Sequence, residues 1–309
     1  MEPVEVERIG RLYRVNKLSR FYRDHLSGYD ERRAKDELFF PENLGPHLAI
    51  DETALSRGEL YTILTNKDSG KLVALIRGTK AEYVCARLTA KLPVIGCFQV
   101  QSLTLDLASS YDWVGRTVFP NAEKIIDRFH VQKLVTEALQ ALRIIERQKV
   151  LASARGQTPR AREPAYKNGD TRRELLARSR YLLFKPRAGW TKTQRERAQI
   201  LFQEYPKIEV AYDLTQNLRE IYEAKISRSE ASLKLRGWLE AVNLAAIPEL
   251  EAVASTILKH EDRILNFWNN RETNAFAESF NAKLKHFRGL LRGVRDLKFF
   301  LFRCQTYFA

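Results

Sequence analysis

The chain has 309 residues, of which 44% are apolar, so it can bury a core, which argues against a disordered or fibrous protein. Its 52 Lys and Arg against 38 Asp and Glu give a formal charge of +14, which favours a polyanionic partner, above all nucleic acid. No apolar run approaches the roughly 18 residues that span a bilayer, and the N-terminus lacks the apolar region of a signal peptide. We therefore expect a soluble, cytoplasmic protein with no membrane partner.

The first half of the chain predicts a helical lead-in followed by a sheet. Residues 1–46 mix charges with aromatic residues, a pattern that suits short amphipathic helices. From His47 onward the pattern changes to β-rich runs at 47–51, 59–65 and 71–76, which are separated by turn residues and predict an antiparallel meander. The next runs predict helix 79–91, a buried strand 98–106, helix 108–118 and strand 124–127.

This order of elements is the one found in RNase H-like folds, where a meander is extended by parallel strands with crossover helices on the faces of the sheet. Beyond His130 we find no convincing strand, and residues 131–270 predict a block of helices. The predicted helices of this block include 131–149, 171–183, 191–203, 227–240 and 250–259.

The helical block contains the most basic part of the chain. Residues 143–197 hold 16 Lys and Arg against 5 Asp and Glu. We expect this sector to face DNA, with Arg172 and Arg173 as candidate contacts. The alternative is an ordinary solvated helical face, because charge runs are usually soluble surface.

Two acidic residues each end an apolar strand. Asp51 closes the first run of the meander, and Asp106 closes the later strand. In an RNase H-like order these strands are neighbours, which would bring both carboxylates within reach of one ion. Oxygen ligands of this kind select Mg²⁺ or Mn²⁺.

A polar stripe near the C-terminus supplies a third acid. Asn274, Glu278, Asn281 and Lys285 recur on one helical face, opposite an apolar face. Phosphoryl transfer commonly uses two ions roughly 3.5 to 4 Å apart, flanked by acids. The two Asn side chains could then orient Glu278 or contact DNA, and Lys285 with Arg288 could hold phosphate oxygens. The alternative is an amphipathic surface helix.

Three segments in order, 47–54, 119–130 and 273–285, resemble the DDE transposases of bacterial insertion sequences, and the likeness extends from about residue 16 to 303. The resemblance implies an RNase H-like mixed α/β fold with a large all-α insertion before the last catalytic helix. It places Asp51, Asp106 and Glu278 as the catalytic, metal-binding triad. The implied parts are a lead-in (1–46), two pieces of the core (47–130 and 271–309), and a basic helical insertion (131–270).

The resemblance also bears on an ambiguity that the residues alone leave open, because Asp127 competes with Asp106 for the second place in the triad. A D-x-x-H motif after the second catalytic Asp occurs in related transposases, and residues 127–130 match it. Asp106 is therefore assigned to metal, with Asp127 and His130 in support. Taken alone, a single His after a strand, such as His130, is more often a structural residue.

The implied function is metal-dependent cleavage of DNA at the terminal inverted repeats of a transposon, followed by strand transfer to target DNA, by a dimer associated with the bacterial nucleoid. The usual N-terminal zinc-binding and helix-turn-helix region is missing from the pattern, and the three cysteines show no zinc-site spacing. A separately encoded DNA-reading protein, a truncated copy, or recognition by the basic insertion would each account for this. The alternatives are an RNase H-like nuclease or junction resolvase and an inactive transposase-derived DNA-binding protein.

Overall fold

The computed structural model describes residues 23, 27–30, 36–56, 59–153, 164–271, 275–290 and 296–308. The chain divides into two compact units, one formed by Met1–Asp127 with Glu272–Ala309 and the other by Arg128–Arg271. None of the helices in the described ranges is long and apolar enough to cross a membrane. The helices predicted within residues 16–38 lie largely outside the described residues.

The first unit is built on one six-stranded mixed sheet with the strand order β1-β4-β3-β2-β5-β6. Strands β2, β3 and β4 form an antiparallel meander, whereas β5 and β6 run parallel to β2. The predicted fold class is thereby confirmed, since a meander is extended by parallel strands in the expected order. The strands are β1 Leu38–Phe39, β2 His47–Ser56, β3 Glu59–Asn66, β4 Leu72–Arg77, β5 Ser102–Leu105 and β6 Glu123–Ile126.

Local turn chemistry fixes the register of the meander. The Asn66 side-chain oxygen accepts hydrogen bonds from the backbone N–H groups of Asp68 and Ser69, and Gly70 takes φ +70° to reverse the chain. These bonds close the turn between β3 and β4. The two strands therefore pair directly as a hairpin.

The prediction of a strand over 98–106 was wrong in its first half. The chain forms helix Val94–Gln99 there, and only Ser102–Leu105 joins the sheet. The apolar residues that suggested a buried strand include Phe98, which is 52% exposed on the helix. Pro93 stands at the N-cap of this helix, a start signal that the run of apolar residues masked.

Three helices of this unit follow the meander and the parallel strands in turn. They are α1 Ala81–Lys91, α2 Val94–Gln99 and α3 Ser109–Val118. Helices α1 and α3 pack on each other, α1 against β4 and α3 against β5. Tyr111 of α3 reaches Thr62 of β3, which marks the face of the sheet that these helices cover.

The second unit is helical. Capping boxes start three of its helices, with Thr171, Thr191 and Ser227 as the N-cap residues, which is why these boundaries could be predicted closely. Helix α7 was not predicted, although it begins at Pro206, a residue favoured in the first turn. The helices are α4 Arg128–Ser153, α5 Arg172–Arg178, α6 Lys192–Glu204, α7 Pro206–Glu223, α8 Arg228–Ala245, α9 Pro248–Lys259, α10 Glu261–Leu265 and α11 Phe267–Asn270.

The chain then returns to the first unit with α12 Ala275–Leu290 and α13 Leu297–Phe308. Phe280, Leu284 and Phe287 of α12 join one apolar cluster with Tyr61 and Ile63 of β3. Residues 61 and 63 pair with residues 53 and 51 of β2, so their side chains share the sheet face of Asp51. This packing lays α12 across β2 on that face.

Candidate active site at the carboxyl ends of the parallel strands

Asp51 and Asp106 occupy matching positions on neighbouring parallel strands. The prediction that Asp51 ends its strand was wrong, because β2 runs on to Ser56, whereas Asp106 directly follows β5. In the register of β2 and β5, Ala49 lies beside Thr104, and the two acids each come two residues later. Neighbouring strands are about 4.8 Å apart, so the two backbones bring these carboxylates close together. Because side chains alternate along a strand, both acids continue the sheet face of Ala49 and Thr104.

Asp127 extends the same row by one strand. Leu105 of β5 pairs with Ile126 of β6, and the next residues are Asp106 and Asp127, whose backbone N–H donates to the Leu105 carbonyl at 2.9 Å. Asp106 therefore stands between the other two acids, and Asp127 lies two strand spacings from β2, or about 10 Å. Asp127 is 1% exposed, whereas Asp106 is half-buried.

The carboxylate of Asp51 is held by two hydrogen bonds from neutral donors. Its Oδ1 accepts from the backbone N–H of Glu52 at 2.8 Å, and its Oδ2 accepts from the Nδ2 of Asn281 at 2.7 Å. Asn281 lies 230 residues further along the chain, on α12. Both side chains are buried, so this bond fixes the rotamer of Asp51 and docks the last part of the chain on the acid.

Asp106 is oriented by the helix that follows it. Its Oδ1 accepts from the backbone N–H of Ala108 at 2.7 Å, just ahead of α3. A carboxylate satisfies unpaired N–H groups at a helix start, and the positive end of the helix favours its charge. The short link between β5 and α3 therefore positions the carboxylate.

Tyr111 is a neighbour of the site that the sequence analysis missed. Burial raises the pKa of its phenol well above the ordinary value, and the charges of Glu52, Asp106 and Asp51 raise it further. Its hydroxyl lies 3.3 Å from the Thr62 hydroxyl. The only available sequence signal was its place in the first turn of the helix after Asp106. Tyr111 therefore lies within electrostatic reach of all three carboxylates.

The predicted residues of α12 are partly described. Glu278 belongs to α12, three positions before Asn281, and its side chain lies outside the described residues, as does Asn274 altogether. Lys285 is exposed, one turn after Asn281. Arg288 is half-buried, with its guanidinium carbon 5.0 Å from the ring centroid of Phe300. A guanidinium over a ring there packs in the core cluster as well as carrying charge.

His130 belongs to the second unit, in the first turn of α4, where its ring meets Phe129 edge to face at 5.9 Å. Asp127 directly precedes that helix, a position at which Asp commonly serves as N-cap. Of the D-x-x-H residues, Asp127 is therefore the last of this stretch of the first unit, and His130 belongs to the first helix of the second unit.

Much of the charge in the basic stretch is engaged within the second unit. Arg178 and Arg197 both bond the carboxylate of Asp170, which is 1% exposed, and Arg187 bonds Asp213 at 2.6 Å. Arg143 is buried and donates to Gln140 and to the Leu176 carbonyl. Trp190 of the same stretch is also buried.

The predicted contacts Arg172 and Arg173 are exposed, and Arg172 lies 3.8 Å from Glu204.

The oxygen atoms of Asp51, Asp106 and Asn281 suit a hard divalent cation, the kind that binds oxygen ligands. Asp51 and Asp106 are carboxylates, and the Oδ1 of buried Asn281 accepts no hydrogen bond within the described part of the chain. A buried amide oxygen left without a partner costs free energy unless something bonds it. Three or more metal-binding side chains do not come together among the described residues, from which the Glu278 side chain is absent.

Residues 48–304 match the model of the transposase family DDE_Tnp_ISL3, a range that runs from Leu48 of β2 through the other strands after β1 to most of α13. The chain belongs to this transposase family. The matched range includes Asp51, Asp106 and residue 278, together with the complete second unit.

Curated relatives carry the same description. The chain is 26% identical over 262 residues to the transposase for insertion sequence element IS1557 from two strains of Mycobacterium tuberculosis, covering 81% of this chain and 57% of the relative. It is 22% identical over 263 residues to the transposase for IS1001 of Bordetella parapertussis, covering 85% and 61%. No solved structure matches significantly. The chain thus spans less than two thirds of the length of these relatives.

Proposed function

We propose that the chain cleaves DNA strands at transposon ends and joins the freed 3′-OH to target DNA, by metal-dependent in-line phosphoryl transfer. The observation that carries this proposal is the alignment of Asp51, within β2, with Asp106, directly after the parallel strand β5, together with the bond from Asn281 to Asp51. Membership of a transposase family supports DNA as the substrate.

Asp51 and Asp106 would hold Mg²⁺ or Mn²⁺, with Glu278 as the third carboxylate. Residues three apart on a helix share a face, so Glu278 follows the same side of α12 as Asn281, which bonds Asp51. Two such ions, when bound, activate the attacking oxygen and stabilise the leaving oxygen.

The residues of the chain prepare this site before DNA arrives. Asn281 holds one oxygen of Asp51, and the Glu52 N–H holds the other, so the carboxylate keeps one orientation. Ala108 does the same for Asp106. Lys285, which is exposed one turn beyond Asn281, would pair with a phosphate oxygen of the bound strand. Groups held in this way need no rearrangement during the reaction.

The decisive test is strand cleavage with DNA carrying the terminal repeats that flank the coding sequence. With Mg²⁺ or Mn²⁺ we expect nicking at the repeat ends, and we expect Asp51→Asn and Glu278→Gln to abolish it while keeping DNA binding. Full cleavage by either variant would overturn the assignment. A protein that binds DNA with a steep salt dependence but never cleaves would instead be a transposase-derived DNA-binding protein.

A pre-nicked end separates a transposase from a plain nuclease or junction resolvase. If the chain transfers strands, an end with a free 3′-OH will be joined covalently to a target plasmid. Hydrolysis of the plasmid without joined product would favour the nuclease. The same assay, run with a helix-turn-helix protein encoded beside the gene, tests whether a separate DNA-reading partner is required.

Asn281 offers a finer test, because it acts on Asp51 and not on DNA in this proposal. Truncation to Ala should weaken Mn²⁺ binding about 10- to 100-fold, as loss of a supporting group around a metal ligand does. Asn281→Asp should lower thermal stability without metal, since it sets a second carboxylate against Asp51, and added Mn²⁺ should restore it. A metal affinity unchanged in Asn281→Ala would exclude the positioning role.

Dimer formation remains part of the proposal, because joining two ends requires two active sites on paired DNA. Light scattering of the chain with and without repeat DNA tests it directly. We expect two chains per pair of ends, and a single chain per complex would contradict the dimer.

A further inference from the structure

The segment that joins α5 to α6 contains two short 3-10 helices, Leu182–Phe184 and Arg187–Gly189, and its backbone is held by hydrogen bonds from side chains. Within residues 180–185, here called the Arg180–Lys185 loop, four backbone carbonyls accept hydrogen bonds from side chains on other elements or further along the connection. The bonds run from Gln140 to Arg180 O (3.1 Å), Trp190 to Leu182 O (2.8 Å), Arg219 to Phe184 O (3.2 Å) and Tyr212 to Lys185 O (2.8 Å). This anchoring gives the loop the rigidity of a regular element.

Two side chains of the loop are buried, and the four on either side of them are exposed. Leu182 and Leu183 are buried, at 1% and 0% exposure. On either side of them stand a basic residue and an aromatic residue: Arg180 with Tyr181, and Phe184 with Lys185. Tyr181 is 67% exposed and Phe184 42%, and the guanidinium carbon of Arg180 lies 5.5 Å from the Tyr181 ring centroid.

The surroundings of the loop are strongly positive. Residues 172–195 contain eight Lys and Arg and one acidic residue, Glu174. Arg178 and Arg187 of this stretch are engaged with Asp170 and Asp213, but the remaining basic side chains are all exposed. The loop therefore presents two exposed rings within a field that attracts polyanions.

We propose that the Arg180–Lys185 loop binds unpaired nucleotides of DNA, with Tyr181 and Phe184 stacking on bases and Arg180 and Lys185 pairing with phosphates. In a duplex the faces of the bases are covered by their neighbours, so phosphate contacts would need the cations but not the rings. An exposed ring beside a cation suits an unstacked base, which offers its face to the ring and its phosphate to the cation. This rests on the proposed function only in taking DNA as the partner.

Fluorescence anisotropy with the full chain in EDTA tests the proposal without any catalysis. One labelled probe is a fully paired duplex, and the other is the same duplex with a short unpaired stretch. We expect tighter binding of the second probe. Tyr181→Ala should weaken that probe about 10-fold, the order found when a stacking ring is removed, and leave the paired duplex nearly unchanged.

Two further variants keep the test sharp. Tyr181→Trp preserves a stacking face and should retain the preference for the unpaired probe. Arg180→Ala with Lys185→Ala should weaken both probes and lower the salt dependence of binding. The matched control is Lys225→Ala with Lys259→Ala, which removes the same charge from exposed positions elsewhere in the second unit and should preserve the preference.

The proposal is overturned if wild-type protein binds both probes equally, or if Tyr181→Ala with Phe184→Ala keeps the preference for the unpaired probe. If Tyr181→Ala weakened binding of both probes equally, the loop would be a general polyanion surface, and the proposal would also be overturned. Because no metal is present, failure here leaves cleavage untouched. Conversely, a preference for unpaired DNA in a chain that never cleaves would leave this inference standing while the proposed function fell.

Discussion

Two buried aspartates, one in each unit, receive different partners from the fold. Asp170 in the helical unit lies between Arg178 and Arg197, with Arg197 Nε 2.6 Å from its carboxylate. Asp51 in the sheet unit accepts hydrogen bonds from the Glu52 N–H and the Asn281 amide, which are neutral groups. The charge of Asp170 is balanced by two cations of its own unit.

The difference separates a structural acid from a candidate metal ligand. A buried carboxylate with two guanidinium partners holds an irregular connection to two helices. A carboxylate oriented by amides, with Asp106 on the next strand, is an arrangement that suits a metal ligand. Burial of an acid alone does not distinguish these cases, but the chemistry of its partners does.

Replacing the second acid of the row should have the largest effect. We expect Asp106→Asn to slow metal-dependent cleavage at least about 10³-fold, equal to about 4 kcal/mol of transition-state stabilisation. Asp127→Asn, a matched change one strand further from β2, should stay within about 10-fold, because Asp127 lies about 10 Å from β2 and directly before α4, where Asp commonly acts as an N-cap. Single-turnover cleavage rates decide between them, and the reverse order would make Asp127 the second metal ligand.

Asp170→Ala should destabilise the helical unit by about 3 kcal/mol, since it leaves Arg178 and Arg197 without their buried partner. Three of the four tryptophans lie in this unit, so fluorescence during urea unfolding reports mainly on it. Asp213→Ala is the control, because its pair with Arg187 is half exposed and worth at most about 1 kcal/mol. Equal losses of unfolding free energy in Asp170→Ala and Asp213→Ala would contradict the larger contribution assigned to Asp170.

The same acid predicts a smaller dependence on pH. Burial by itself would raise the pKa of Asp170, but the hydrogen bonds and charges of Arg197 and Arg178 outweigh it and lower that pKa below its ordinary value. Its stabilisation is therefore present above the unfolded pKa of about 3.9 and is lost as the pH falls through the folded value. The stability gap between wild type and Asp170→Asn should narrow in urea titrations below about pH 4. A difference in unfolding free energy that stayed constant below about pH 4 would contradict this prediction.

Asp51 and Asp106 could be predicted as site residues because each lies at the end of an apolar run in the sequence. The order of the strands then follows from the short connections between them. The bond between Asn281 and Asp51 could not, since it joins residues 230 apart and depends on how α12 packs. The charge of residues 143–197 predicted a DNA surface, but no local pattern shows that Asp170 is buried beneath Arg178 and Arg197. Pairing within the unit is a property of the packed helices alone.

Element boundaries show the same limit. Capping boxes at Thr171, Thr191 and Ser227 are local in sequence and gave the helix starts to within a residue. The predicted strand 98–106 begins too early, since residues 98 and 99 end the helix Val94–Gln99, because an apolar run this short has no decisive period.

The central claim is that the carboxylates of Asp51 and Asp106 bind a divalent cation. Calorimetric titration with Mn²⁺ tests this claim most directly. Wild-type protein should bind Mn²⁺ saturably, and Asp51→Asn and Asp106→Asn should each lower the affinity at least 10-fold. Glu52→Gln removes the same charge from the adjacent, exposed residue on the other face of β2 and should bind as wild type does. Equal binding by Asp51→Asn and wild type, or no saturable binding at all, would contradict the account.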